Sequence, residues 1–213
     1  NTFKSSIVNI SLDETIPDMP SAFKALAVKS GAVSLSWISN SGSDIQIFRA
    51  LSSEEAEIFE LIATINDANS YVDFTPTDTE YTYRINALKN GQESTYSPEL
   101  KIISDSRGPE LISLELVSNN QRDSTYGKGL VNITAQLSET PSSIPHLAFS
   151  SASMPPVSVA LTQVEGESLI YTGSFEITPD TFSTGTVYPI YSASDRYGNK
   201  GASVQTAAIA IDV

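Results

Sequence analysis

At 213 residues the chain has room for one or two domains, each able to bury a core. A net charge of −13 and a pI near 4.3 argue against a partner held through its phosphate backbone, which needs clustered Lys and Arg. Zero cysteines exclude disulfides and thiol chemistry without fixing a compartment.

Charged residues make up 17% of the chain and hydrophobic residues 40%, which suits neither exposed helices nor wholesale disorder. The acids are scattered, as expected for solubility, including in a saline environment. No apolar run reaches the roughly 20 residues of a membrane span, and no signal peptide is recognisable. The chain opens on Asn1 and reads as an excerpt or mature piece of something longer. Short alternating runs punctuated by Gly, Pro, Asn and Ser predict an all-β chain.

In chain order, residues 1–16 carry Ser6–Leu12, where Val8, Ile10 and Leu12 alternate. This predicts a strand from an upstream domain, or one added to a sheet edge. Asp13 to Pro20, with Pro17 and Pro20, reads as a stiff connector. From residue 17 to 105 the runs come at sandwich spacing. Leu26–Val28 leads, and Val33, Leu35 and Trp37 then alternate with serines, so the only Trp points inward. Ile45–Arg49 and Phe59–Ala63 come next, then Ser70–Asp73 and finally Leu100–Ile103.

The decisive stretch is Phe74 to Ala87. A turn on Pro76 and Asp78 runs into alternation that places Tyr81, Tyr83, Ile85 and Ala87 on one face and Thr82, Arg84 and Asn86 on the other. That reads as a half-buried strand with its polar face in water. The order Leu-x-Val, Leu-x-Trp, Ile-x-Ile-x-Arg, Tyr-x-Asp, Tyr-x-Tyr-Arg-Ile-x-Ala and Ser-Pro resembles a fibronectin type III module. The resemblance implies that Trp37 fills the core and that the Tyr81 hydroxyl caps the sandwich. No Arg-Gly-Asp tripeptide is present, so integrin-type recognition does not carry over. The acidic excursion Ser52–Ile58 is expected to be a solvated loop, able to form a helical turn capped by Ser52 or Ser53.

Asp105–Glu110 reads as a short polar Gly-Pro linker that holds two end-to-end modules with restricted freedom. From 106 to 213 a second series begins with Leu114 and Leu116. It continues through Val131–Leu137, Val157–Leu161, Tyr171–Ile177 and Val187–Asp195, and ends with Ala207, Ile209, Ile211 and Val213 on one face. The run Ala193-Ser194-Asp195-Arg196-Tyr197-Gly198-Asn199-Lys200-Gly201 resembles the hairpin that closes many bacterial immunoglobulin-like (Big-type) domains. The resemblance implies that Asp195 ends a strand and that Gly198-Asn199 makes the tight turn. The fold class is thus all-β: two tandem sandwiches, fibronectin type III-like and then immunoglobulin-like.

The chemistry is sparse. His146 is the only histidine and reads as a loop residue beside Pro145, with no nucleophile elbow or phosphate loop elsewhere. One histidine and no cysteine argue against ordinary zinc or copper sites. Catalytic carboxylates would have to come from Glu54, Glu55 and Glu57, which read as solvated. Calcium is the one cofactor with candidates, in Asp105, Glu110, Asp195 and Asn199, although Asp195 more simply accepts backbone N–H bonds inside its hairpin. Tyr171 and Tyr191 read as core, and Tyr188 and Tyr197 as freer rings able to stack on a sugar. Asn9 and Asn132 fit the glycosylation pattern but fall inside predicted strands.

The expectation is a non-catalytic segment of a larger secreted or cell-surface bacterial protein that positions a catalytic or adhesive domain. Its partners would be neighbouring domains of the same polypeptide, with a cell-surface protein or glycan as a further partner. Neither nucleic acid nor membrane insertion is expected. The alternative is a direct binding module, an adhesin or carbohydrate-binding piece using sandwich loops.

Overall fold

A computed structural model describes residues 16–40, 42–52, 57–201 and 208–213. The strand expected at 6–12, most of the acidic excursion (53–56) and Ala207 lie outside the described residues. The chain divides into two compact units, Asn1–Asp105 and Ser106–Val213. Each is a β-sandwich.

In the first unit the strands are β1 (Ser21–Val28), β2 (Ala32–Ile38), β3 (Asp44–Leu51), β4 (Glu60–Ile65), β5 (Ser70–Phe74), β6 (Glu80–Lys89), β7 (Gln92–Glu93) and β8 (Leu100–Ile103). One sheet has the order β1-β2-β5; the other runs β4-β3-β6-β7, with β8 also beside β6. Alternation sends Val33, Leu35 and Trp37 of β2 against Ile45 and Ile47 of β3 and Tyr83, Ile85 and Ala87 of β6. Each fully buried Leu or Ile here contributes about 1.5–3 kcal/mol relative to exposure. The Trp37 indole N–H is buried without a hydrogen-bond partner among the described residues.

β6 is not half-buried. Thr82 and Asn86 on its outer face are each 0% exposed, because side chains from β3 and from the segment before β8 lie over them. A polar residue on an alternating strand therefore marks a face away from the apolar core, not contact with water.

The second unit contains β9 (Leu111–Ser118), β10 (Gln121–Arg122), β11 (Thr125–Gly127), β12 (Gly129–Leu137), β13 (His146–Ser150), β14 (Val157–Val159), β15 (Thr162–Gln163), β16 (Ile170–Ile177), β17 (Gly185–Ser194), β18 (Lys200–Gly201) and β19 (Ile209–Asp212). They form one sheet ordered β15-β16-β12-β9 and another ordered β10-β11-β19-β17-β13-β14, with β18 beside β17. β11 and β19 pair in parallel; every other pairing is antiparallel. The core closes around Phe149, Phe175 and Phe182, with centroids 4.7 and 5.6 Å apart.

Three expectations are corrected here. Val157–Leu161 is not one strand: the chain leaves β13 after Val159 and joins β16 at Thr162. Gly173 permits the switch, since a Cβ there would collide with the Ala160 carbonyl. The Asp105–Glu110 segment is not a free linker over its second half. Gly108 and Pro109 are buried in the second unit, the Tyr191 hydroxyl donates to the Pro109 carbonyl at 2.7 Å, and the Glu110 amide donates to Ser138 Oγ at 2.8 Å. His146 is not in a loop but opens β13, exposed and opposite Ser192.

Candidate functional site

The turn at 75–79 delivers Tyr81 to the start of β6, where its hydroxyl donates to the Thr77 carbonyl at 3.2 Å and pairs with Thr77 Oγ1 at 2.8 Å. Next to it, Arg49 of β3 lies opposite Tyr83 and turns into the sandwich. Arg49 Nη1 donates to both oxygens of Asp73, at 3.1 and 2.9 Å, and the Tyr83 hydroxyl donates to Asp73 Oδ2 at 2.7 Å. The guanidinium also lies 5.3 Å from the centroid of the Tyr81 ring. Burial alone would lower the Arg49 pKa, but the hydrogen bond and charge of Asp73 outweigh it and raise the value. Burial, then the Asp73 bond and charge, push the Tyr83 phenol well up, so it stays protonated at neutral pH.

Over this network lies a cleft of about 380 Å³, walled by Leu51, Ile58, Pro76 and the Tyr81 ring, with Arg49 and Glu60 as its charged groups. Ile58 is 71% exposed and Leu51 39%. A cation whose position is fixed by Asp73, beside apolar walls, can bind and orient. The network contains no group with a pKa poised for proton transfer near neutrality.

On the outer face of the same sheet, Arg84 is sandwiched between Phe59 and Tyr96, its guanidinium carbon 3.8 and 4.0 Å from the two ring centroids. Phe48 meets Tyr96 edge-on at 5.3 Å, and Arg84 Nη1 reaches Glu99 at 3.4 Å. The strap that carries Tyr96 is tied down by two serines. Ser97 Oγ accepts the Ile85 amide at 3.1 Å and Ser94 Oγ the Ala87 amide at 2.9 Å, while their own amides donate back to the Ile85 and Ala87 carbonyls. Glu57 is not solvated either. It accepts from Thr82 at 2.8 Å and meets Lys101 at 3.2 Å, and these partners, Thr82 first, hold its carboxyl below the usual range.

In the second unit, Asp195 Oδ1 accepts the Tyr197 and Asn199 amides and Oδ2 accepts Asn199 Nδ2, all at 2.8 Å. Gly198 takes the turn at φ +88°. Of the calcium candidates the fold thus joins Asp195 and Asn199. Glu110 anchors the start of β9 through its backbone, and the Asp105 carbonyl accepts the Gly31 amide in the first unit. Tyr171 and Tyr191 are buried, Tyr188 is 59% exposed, and Tyr197 is half-buried with Arg196 over its ring. Asn132 is exposed on the outward face of β12; Asn9, Glu54 and Glu55 lie outside the described residues.

Sequence reasoning missed the Arg49–Asp73–Tyr83 triad and the Arg84 sandwich. Arg49, Asp73 and Tyr83 sit on three strands and meet only through register. The Ser94-x-x-Ser97 spacing was a local signal for the strap, because an extended segment with three residues per turn returns both hydroxyls to one side.

No family model and no curated protein matches the chain. Among solved structures it is similar to the chicken CNTN1 FN1–FN3 domains, at 13% identity over 93% of this chain and 69% of that one, with a TM-score of 0.44. It is also similar to a two fibronectin type III domain segment from chicken tenascin, at 12% identity over 86% and 95% of the two chains, with a TM-score of 0.35. A myokine structure matches at 17% identity over 41% of this chain and 97% of its own, with a TM-score of 0.33.

Proposed function

We propose that this chain is a non-catalytic spacer and interaction segment of a larger secreted or cell-surface bacterial protein, where it positions a catalytic or adhesive domain. The carrying observation is that each unit closes its own core, and its buried polar side chains serve the fold. Asp73 neutralises Arg49, Asp195 organises a hairpin, and Ser94 and Ser97 tie a strap. Modules of this kind hold a neighbour in place without contributing reactive groups. The test is a glycan array together with capture against purified cell-surface and matrix proteins. The spacer reading expects both to be blank for the isolated chain.

One observation favours a direct binding role instead: the cleft beside Arg49, whose volume falls within the range of small-ligand sites. If the array or capture is positive, Ile58→Asp and Leu51→Asp should each reduce binding at least tenfold. Retention of the signal in both variants would remove the cleft from consideration.

A further inference from the structure

The outer face of the β1-β2-β5 sheet carries an apolar trough. Register places Leu26 opposite Ser34 and Ser34 opposite Val72 in one row, and Val28, Ala32 and Phe74 in the next. The small side chains Ala32 and Ser34 therefore form a floor along β2. Leu26 and Val28 stand on one side of it, Val72 and Phe74 on the other. These walls are not covered: Phe74 is 73% exposed, Leu26 63% and Val72 46%. A contiguous exposed patch of large apolar side chains on a sheet face marks an interaction surface.

We infer that this trough is the contact surface for a second copy of the same chain, packed sheet to sheet about a two-fold axis. Charge is the first argument. Two chains of −13 each repel wherever acids meet. Among the described residues that point outward from these three strands, Lys24 alone is charged, and it is basic. Two copies can approach on this face without bringing carboxylates together. Shape is the second argument. In a two-fold interface the same surface must complement itself, so a ridge on one copy has to meet a hollow on the other. Here ridge and hollow lie side by side, so a two-fold packing can set Phe74 of each copy over the Ala32–Ser34 floor of its mate.

Size sets the strength. Three strands at about 4.8 Å spacing, and some six residues of length, give a face of roughly 15 by 20 Å. That is well under the roughly 800 Å² per partner of a stable interface. The association is therefore transient, with a Kd on the order of 10–100 μM, and suited to chains held close together on a surface. Salt should strengthen it, because screening removes the repulsion and leaves apolar burial nearly untouched.

Sedimentation velocity on the whole chain, from about 1 μM to about 500 μM at low and high salt, should show a reversible monomer–dimer equilibrium that shifts toward dimer by about tenfold as salt is raised. Phe74→Glu and Leu26→Glu should each weaken it at least tenfold without changing the thermal midpoint, since both side chains are mostly exposed. Tyr188→Ser, on the second unit, should leave it unchanged. Amide exchange at β2 and β5 should slow with rising concentration. A monomer throughout, a dimer indifferent to both Glu variants, or protection independent of concentration would each overturn the inference. The last of these would assign the trough to a segment of the same chain.

Discussion

Asp73 is 5% exposed and accepts from both Arg49 and Tyr83, so the three side chains stand or fall together. Asp73→Asn leaves the half-buried Arg49 cation without its counter-charge and should lower the stability of the first unit by about 3 kcal/mol in urea unfolding. Tyr83→Phe keeps the ion pair, loses one bond to a charged acceptor, and should cost about 2 kcal/mol. The same tyrosine predicts a pH dependence. Its neutral form is favoured in the fold, so its folded pKa lies above its unfolded value of 10.0. The stability it contributes is complete below about pH 10 and is lost as pH rises beyond that. Equilibrium unfolding between pH 9 and 12 should show this decline, and Tyr83→Phe should make it shallower. None of this could be read from Arg49, Asp73 and Tyr83 as isolated letters. The sequence pattern placed all three on inward faces, but which inward polar group meets which is decided by strand register, and local alternation does not encode register.

Strand-scale features divide by whether their cause is local. The alternation of Val131–Leu137 and of Val33–Trp37 is local, and both runs form strands with the expected faces inward. Val187–Asp195 was also legible despite Pro189. The ladder to β19 ends at Val187, so Pro189 has no neighbour there to receive the N–H it lacks. The division of Val157–Leu161 between two sheets was not legible. It depends on Gly173, a dozen residues downstream, whose missing side chain admits the Ala160 carbonyl. Gly173→Ala should therefore destabilise the second unit by roughly 1–3 kcal/mol, which thermal unfolding would record. The strap at 94–99 gives a matching prediction in the first unit. Ser97→Ala leaves the buried Ile85 amide without its hydroxyl partner and should cost about 1–2 kcal/mol. Failure of Ser97→Ala to move the midpoint would mean that the Arg84 stack alone holds the strap.

For the whole molecule, the division at residue 105 reflects two cores that share no buried cluster. Residues 16–105 and 106–213, produced separately, should each unfold cooperatively, and a second-unit fragment begun at Glu110 should be markedly less stable. That fragment lacks the Pro109 carbonyl that accepts from Tyr191 and the Gly108–Pro109 backbone lying against Gly201. The parallel pairing of β11 with β19 has a mechanical consequence. If the chain is stretched from its two ends, β9 peels from β12 one bond at a time. Tension then crosses Thr125–Ala210, Tyr126–Ile211 and Gly127–Asp212 lengthwise, so that these bonds must rupture together. In the first unit β1 pairs only with β2 and β8 only with β6, both antiparallel, so each terminal strand can unzip. Pulled by a cantilever, the chain should yield first through the first unit, with the second persisting to higher force after a short extension step.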